Sequence, residues 1–186
     1  MTGIDLRRIA PWVLSAVLVS IAFVLQVSVF DTFSWHGAVP DLALLVVVAA
    51  ALVRGSQFGL ILGFATGLLL DVAPPADHLA GRWALALLIV GLIAGRVGES
   101  LREEERERPR VNVVVATALA CSFAGTSIFA LLGLVLRDPA VSVGDLLGPV
   151  GAGLVWDLIA TPFVVPVVML AFRRLDALLT PAPAVE

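Results

Sequence analysis

Apolar residues along this chain gather in six blocks, roughly 9–30, 40–53, 56–72, 80–97, 112–136 and 146–172, with short polar or Gly/Pro-bearing connections between them. A helix needs about 20 apolar residues to cross a bilayer. The pattern therefore predicts an all-α polytopic membrane protein of about six transmembrane helices, with residues 1–186 forming a single integral membrane domain. The second and third blocks are the short ones. At 1.5 Å per residue they reach roughly 21 and 25 Å against a hydrocarbon core of about 30 Å. They are either short crossings or a re-entrant hairpin. Crossings are favoured, because a re-entrant tip would place Arg54 in the bilayer, where a central Arg costs at least about 2.5–3.5 kcal/mol.

Composition narrows the class further. Of 186 residues 60% are hydrophobic and 15% charged, with mean hydropathy +1.03, whereas an ordinary soluble domain is about 45–50% apolar and 25% charged. Intrinsic disorder and a nucleic-acid-binding surface are excluded, and a net charge of −3 argues against a polybasic arm. The run after Arg7 and Arg8 is longer than a signal-peptide core and has no small-x-small cleavage site, so it reads as a retained first helix. All twelve basic residues are Arg, and with six crossings ten of them fall on the side of the termini. The other side receives only Arg82 and Arg137. By the positive-inside rule both termini are expected in the cytoplasm. The single cysteine, Cys121, lies in an apolar stretch and reads as a buried inert thiol.

Three features stand out as candidate contacts. Gly55, Gly59, Gly63 and Gly67 stand four apart, and Asp71 continues the series. On a helix this makes a small-residue groove that another backbone can approach closely, whether from this chain or from a second protein. Asp157 lies well inside the last block, followed by Pro162 and Pro166, which leave the carbonyls of Leu158 and Pro162 without helical partners. Such an acid either binds a cation or proton or receives an Arg or Ser from a neighbouring helix. Pro40-Asp41 reads as a helix start with acid at the positive end of the macrodipole. Asp41 and Asp71 are both expected at outer helix ends, solvated by water or headgroups. Asp71 falls at a C-terminal end that disfavours it, which marks it for a specific contact.

Enzymatic chemistry has little to stand on. The aspartates lack a Gly-x-Gly-Asp context, and His36 and His78 fall in external loops without metal-ligand spacing, so no catalytic residue, cofactor or metal is expected. The segment 96–110 holds five Arg and five Glu. Pairs such as Glu99–Arg102, Glu103–Arg106 and Glu104–Arg108 match helical neighbour spacing, so the fourth helix is expected to extend into the cytosol until Pro109. It is a solvated, self-paired helix end, or a docking surface for a cytosolic partner built on Arg102, Glu103 and Arg106.

The order Pro40-Asp41-Leu42, then Gly59-x3-Gly63-Phe64-x2-Gly67-Leu68-Leu69-x-Asp71, then Gly81 resembles the rod-shape-determining MreD family over residues 40–82. Size and helix count agree across the chain. The resemblance implies a non-enzymatic, multi-pass subunit of the cell-elongation and peptidoglycan-synthesis complex of the bacterial inner membrane. Its implied partners are an MreC-like single-pass protein and, indirectly, an MreB-like filament and a RodA/class B penicillin-binding protein, with membrane lipid around it. It also implies a fold similar to the substrate-binding subunits of energy-coupling-factor vitamin transporters, which makes a small-solute transporter subunit the alternative function. Those subunits use an early small-xxx-small element, to which Ala16-x3-Ser20 is a near match. By carry-over, Asp41 and Asp71 with Gly59, Gly63 and Gly67 become the favoured contact region.

Overall fold

The protein is described here as a computed structural model over residues 6–30, 39–73, 79–103, 111–136 and 143–179. The expectations for His36, His78 and Arg106 lie outside these residues. Six α-helices follow in order: α1 Leu6–Leu25, α2 Leu42–Arg54, α3 Ser56–Val72, α4 Arg82–Glu103, α5 Val111–Val135 and α6 Val143–Leu179. A π-helical turn, Gln26–Phe30, prolongs α1. Four helices are long and apolar enough to cross a membrane, whereas α2 and α3, at 13 and 17 residues, are shorter.

Punctuation in the sequence sets several of the helix ends. Gly55, at φ 98°, adopts a backbone that side-chain-bearing residues avoid and separates α2 from α3 by a single residue. Gly81, at φ 99°, does the same just ahead of α4. The last helix runs seven residues past the apolar block, through Arg173, Arg174 and Asp176. Charge does not stop a helix; it ends only the hydropathy signal that reveals one.

α2 occupies the middle of the bundle. Every residue from Leu42 to Leu52 is at most 6% exposed, and the helix touches each of the other five. Its run of Val46-Val47-Val48 is a poor helix former in water. Away from water a helix is the way this segment satisfies its own backbone polar groups, and that requirement outweighs propensity. The outward faces carry large apolar side chains, among them Phe163 at 71% and Val167 at 62% exposed, as a lipid-facing surface does.

Candidate functional site

The glycine stripe is occupied by α4 of the same chain. An added Cβ at Gly59 would stand 2.3 Å from the Gly91 carbonyl oxygen, at Gly63 2.0 Å from that of Leu87, and at Gly67 2.4 Å from that of Trp83. From the other side, Cβ atoms at Gly91, Gly95 and Gly98 would stand 2.0–2.3 Å from backbone atoms of Gly59, Ser56 and Leu52. The two main chains are thus in direct contact along the whole of α3. Where lipid leaves no hydrophobic force between helices, such close van der Waals packing is what holds them together. Gly55 lies outside both helices and serves the break between them, and its backbone still meets α4, where a Cβ at Gly95 would stand 2.5 Å from the Gly55 carbonyl carbon.

Acids at both ends of this helix pair tie one helix to the other. Asp71, at the C-terminal end of α3, accepts hydrogen bonds from the backbone N–H groups of Gly81 (2.8 Å), Trp83 (3.1 Å) and Ala84 (3.0 Å), so it caps α4. At the opposite end Glu99 of α4 accepts from the Ser56 backbone N–H at 2.7 Å and from its hydroxyl at 2.9 Å, which caps α3. Arg102 donates to the Val53 carbonyl in the last turn of α2. Orphaned helix-end groups are satisfied at each place, and a carboxylate faces the positive end of each macrodipole. Two expectations change here. Asp71 is 3% exposed rather than solvated, because a carboxylate with three backbone donors no longer needs water. Glu99 and Arg102 are more than a solvated pair on their own helix, since both also reach across to the α2–α3 break.

A second knot joins α1, α2, α5 and α6. Asp157 of α6 accepts from the Asp41 backbone N–H at 2.7 Å with one carboxylate oxygen and from the Ser122 hydroxyl of α5 with the other. Asp41 in turn accepts from the Leu44 N–H at 3.0 Å as the N-cap of α2. Gln26, in the π-helical turn, accepts from the Ala43 N–H at 3.3 Å, and the Thr161 hydroxyl donates to the Asp157 carbonyl at 2.6 Å. Asp41 is only 8% and Asp157 1% exposed, and Pro40 is fully buried beside them. The expectation of a water- or headgroup-solvated Asp41 is therefore corrected: α2 starts inside the protein, so its cap is buried with it. Of the two readings of Asp157, the structure contains the serine donor from a neighbouring helix.

Charged and aromatic groups mark the two ends of the bundle. Arg54 bonds Asp176 at 2.7 Å and lies 5.1 Å from the centroid of Phe172. Phe172 meets Phe58 edge-on, and Phe58 packs against Trp12 at 4.1 Å. Toward the other end Arg82, 2% exposed, donates to the Phe129 carbonyl at 2.9 and 3.2 Å and covers its ring at 3.9 Å. Ser122, Gln26 and the facing series Gly91, Gly95 and Gly98 join the contacts singled out from the sequence, and Glu99 and Arg82 take roles as a cap and a buried donor that their sequence positions did not indicate. Only the glycine series had a visible signal, its own small-residue spacing.

What this arrangement can do is pack and position. The acids are engaged by backbone N–H groups and a hydroxyl, and no group of three His, Cys, Asp or Glu able to hold a metal occurs among the described residues. Comparisons with curated proteins and with solved structures gave no match. A family model described as rod shape-determining protein MreD matches residues 6–175, nearly the whole chain and both of its buried acid clusters. This multi-helix membrane chain belongs to the rod shape-determining MreD family.

Proposed function

We propose that the chain is a scaffold subunit of the elongation complex in the bacterial cytoplasmic membrane, built as a single membrane domain that holds partner transmembrane helices against its outer faces. Rod-shape determination, membership of the elongation machinery and a non-enzymatic role come with the family. The scaffold role and the identity of the partners go further. The MreC-like single-pass protein is the direct partner, with the MreB-like filament and the RodA/class B penicillin-binding-protein pair reached through it.

The observation that carries the reading is the filled centre. A solute-binding subunit needs a cavity among its helices, whereas here α2 stands there with eleven successive residues at most 6% exposed. A solid bundle is suited to presenting surfaces. With the glycine seam taken by α4, one such surface is a groove of about 380 Å³ between α1 and α3. Ala16, Ser20, Ala65 and Thr66 line it, and the buried Thr66 hydroxyl has no hydrogen-bond partner among the described residues. Small side chains and a spare hydroxyl suit the close approach of a partner helix. Glu103, exposed at the end of α4, takes the cytoplasmic docking role together with the segment containing Arg106, whereas Arg102 is engaged by α2.

The orientation follows from charge. Arg54, Glu99, Arg102 and Asp176 meet at the same end of the bundle, the end also carrying Arg173 and Arg174, which supports a cytoplasmic position for both termini. It also supports α2 and α3 as short crossings, since Arg54 sits among these charges. Photocrosslinking from Ala16 and Ala65 tests the scaffold reading. Crosslinks to an MreC-like protein are expected from both. Crosslinks to that protein only from positions outside the α1–α3 groove would move the seat elsewhere, and none from any outer position would refute the role.

A further inference from the structure

We propose that the groove between α5 and α6 is a seat for an anionic phospholipid of the leaflet at the Arg173 end of the bundle. This groove, of about 510 Å³, is roomier than the α1–α3 groove and lies away from it. Val115, Pro162, Pro166 and Leu170 contribute apolar walls, with Thr161 at one limit and Arg173 at the other. The Thr161 hydroxyl is spent on the Asp157 carbonyl at 2.6 Å, so the walls offer an occupant little to bond until Arg173.

Two observations select the occupant. The first is charge: Arg173 is exposed and has no ion-pair or hydrogen-bond partner among the described residues, unlike Arg54 and Arg102 at the same end of the bundle. A phosphate completes it. The second is length. From Thr161 to Arg173 the helix climbs about 18 Å, close to the roughly 15 Å depth of one leaflet's hydrocarbon. A partner helix crosses both leaflets and would need a groove about twice as long. An acyl chain along the walls with its headgroup phosphate at Arg173 fits both observations. The site does not depend on the scaffold reading; only calling its leaflet cytoplasmic rests on the orientation above.

Native mass spectrometry of the full chain, purified in a delipidating detergent and titrated with phosphatidylglycerol or with phosphatidylethanolamine of the same acyl chains, tests this. Phosphatidylglycerol is expected to bind more tightly, and Arg173→Gln to weaken it about fivefold, as for one interfacial Arg. Val115→Trp, which fills the groove from a partly exposed wall position, is expected to weaken both lipids. Arg7→Gln, exposed on α1 and outside the groove, is the control and is expected to leave binding unchanged. Equal affinity for the two lipids overturns the proposal, as does equal weakening by Arg7→Gln and Arg173→Gln. Loss of an MreC-like partner from Val115→Trp with phosphatidylglycerol binding intact would make the groove a helix seat instead and equally overturn it.

Discussion

Replacing Gly63 with Ala adds one methyl group at one of the two tightest points of the α3–α4 contact. That Cβ would stand 2.0 Å from the Leu87 carbonyl oxygen and 2.7 Å from its carbon, where ordinary contact begins at 3.4 Å. The obstructing atoms are backbone, so no rotamer change relieves the clash and the helices must separate by more than an ångström. That separation cannot stay local, because Gly59, Gly67 and Gly91 depend on the same approach. A radial gap of 0.5–1 Å already forfeits about a quarter to a half of each atomic contact. The cost therefore lies at or above the top of the usual overpacking range, about 3 kcal/mol, which lowers the melting temperature of a chain this size by about 6 °C or more. Gly151→Ala is the matched control, since its Cβ meets nothing within 4 Å, and it is expected to be neutral or slightly stabilising. Thermal melts of the detergent-solubilised variants, read by size-exclusion profile, decide the matter. Equal melting of Gly63→Ala and Gly151→Ala would refute the backbone-contact account. Gly63→Leu and Gly67→Leu then act by breaking the fold of this chain, and their effect on complex assembly follows from that.

Three further outcomes follow from the buried acids and the surface ion pair. Asp157→Asn retains an acceptor for the Asp41 N–H and a partner for Ser122, and is expected to melt near wild type. Asp157→Ala leaves both without a partner, at roughly 1–3 kcal/mol for each group; equal melting of the two variants would show the knot to be dispensable. Asp71→Ala removes three backbone bonds from the start of α4 and is expected to cost at least the 0.5–2 kcal/mol of an ordinary cap, or about 1 kcal/mol. Amide exchange in the first turn of α4 should quicken in that variant, and unchanged exchange there would contradict the cap. Asp176→Ala is expected to cost less than about 1 kcal/mol, because its pair with Arg54 has side chains 22% and 49% exposed; a larger loss in the same melt would show that the pair organises the bundle end.

The six helices were legible because the chain writes them in blocks, and α3 was legible to the residue, bounded by Gly55 and the Val72-Ala73-Pro74 exit. The charged end of α6 was not: Arg173, Arg174 and Asp176 break the apolar run, although Leu175, Leu178 and Leu179 continue beyond it and the helix goes on to Leu179. The stripe of Gly59, Gly63 and Gly67 declared a close approach but not with what, since periodicity describes one face and an interface needs two. Asp157 announced that it needed a partner, yet Ser122 is 35 positions away and one of many scattered hydroxyls. The burial of Asp41 was hidden for a related reason. A short apolar block says how far α2 reaches and nothing of its standing at the centre with helices on all sides.

Purification of the tagged chain from its native membranes, with mass spectrometry of everything retained, tests the central claim most directly. The scaffold account predicts an MreC-like single-pass protein in the eluate and only membrane lipids as small molecules. A tightly held small solute with no such partner would contradict it.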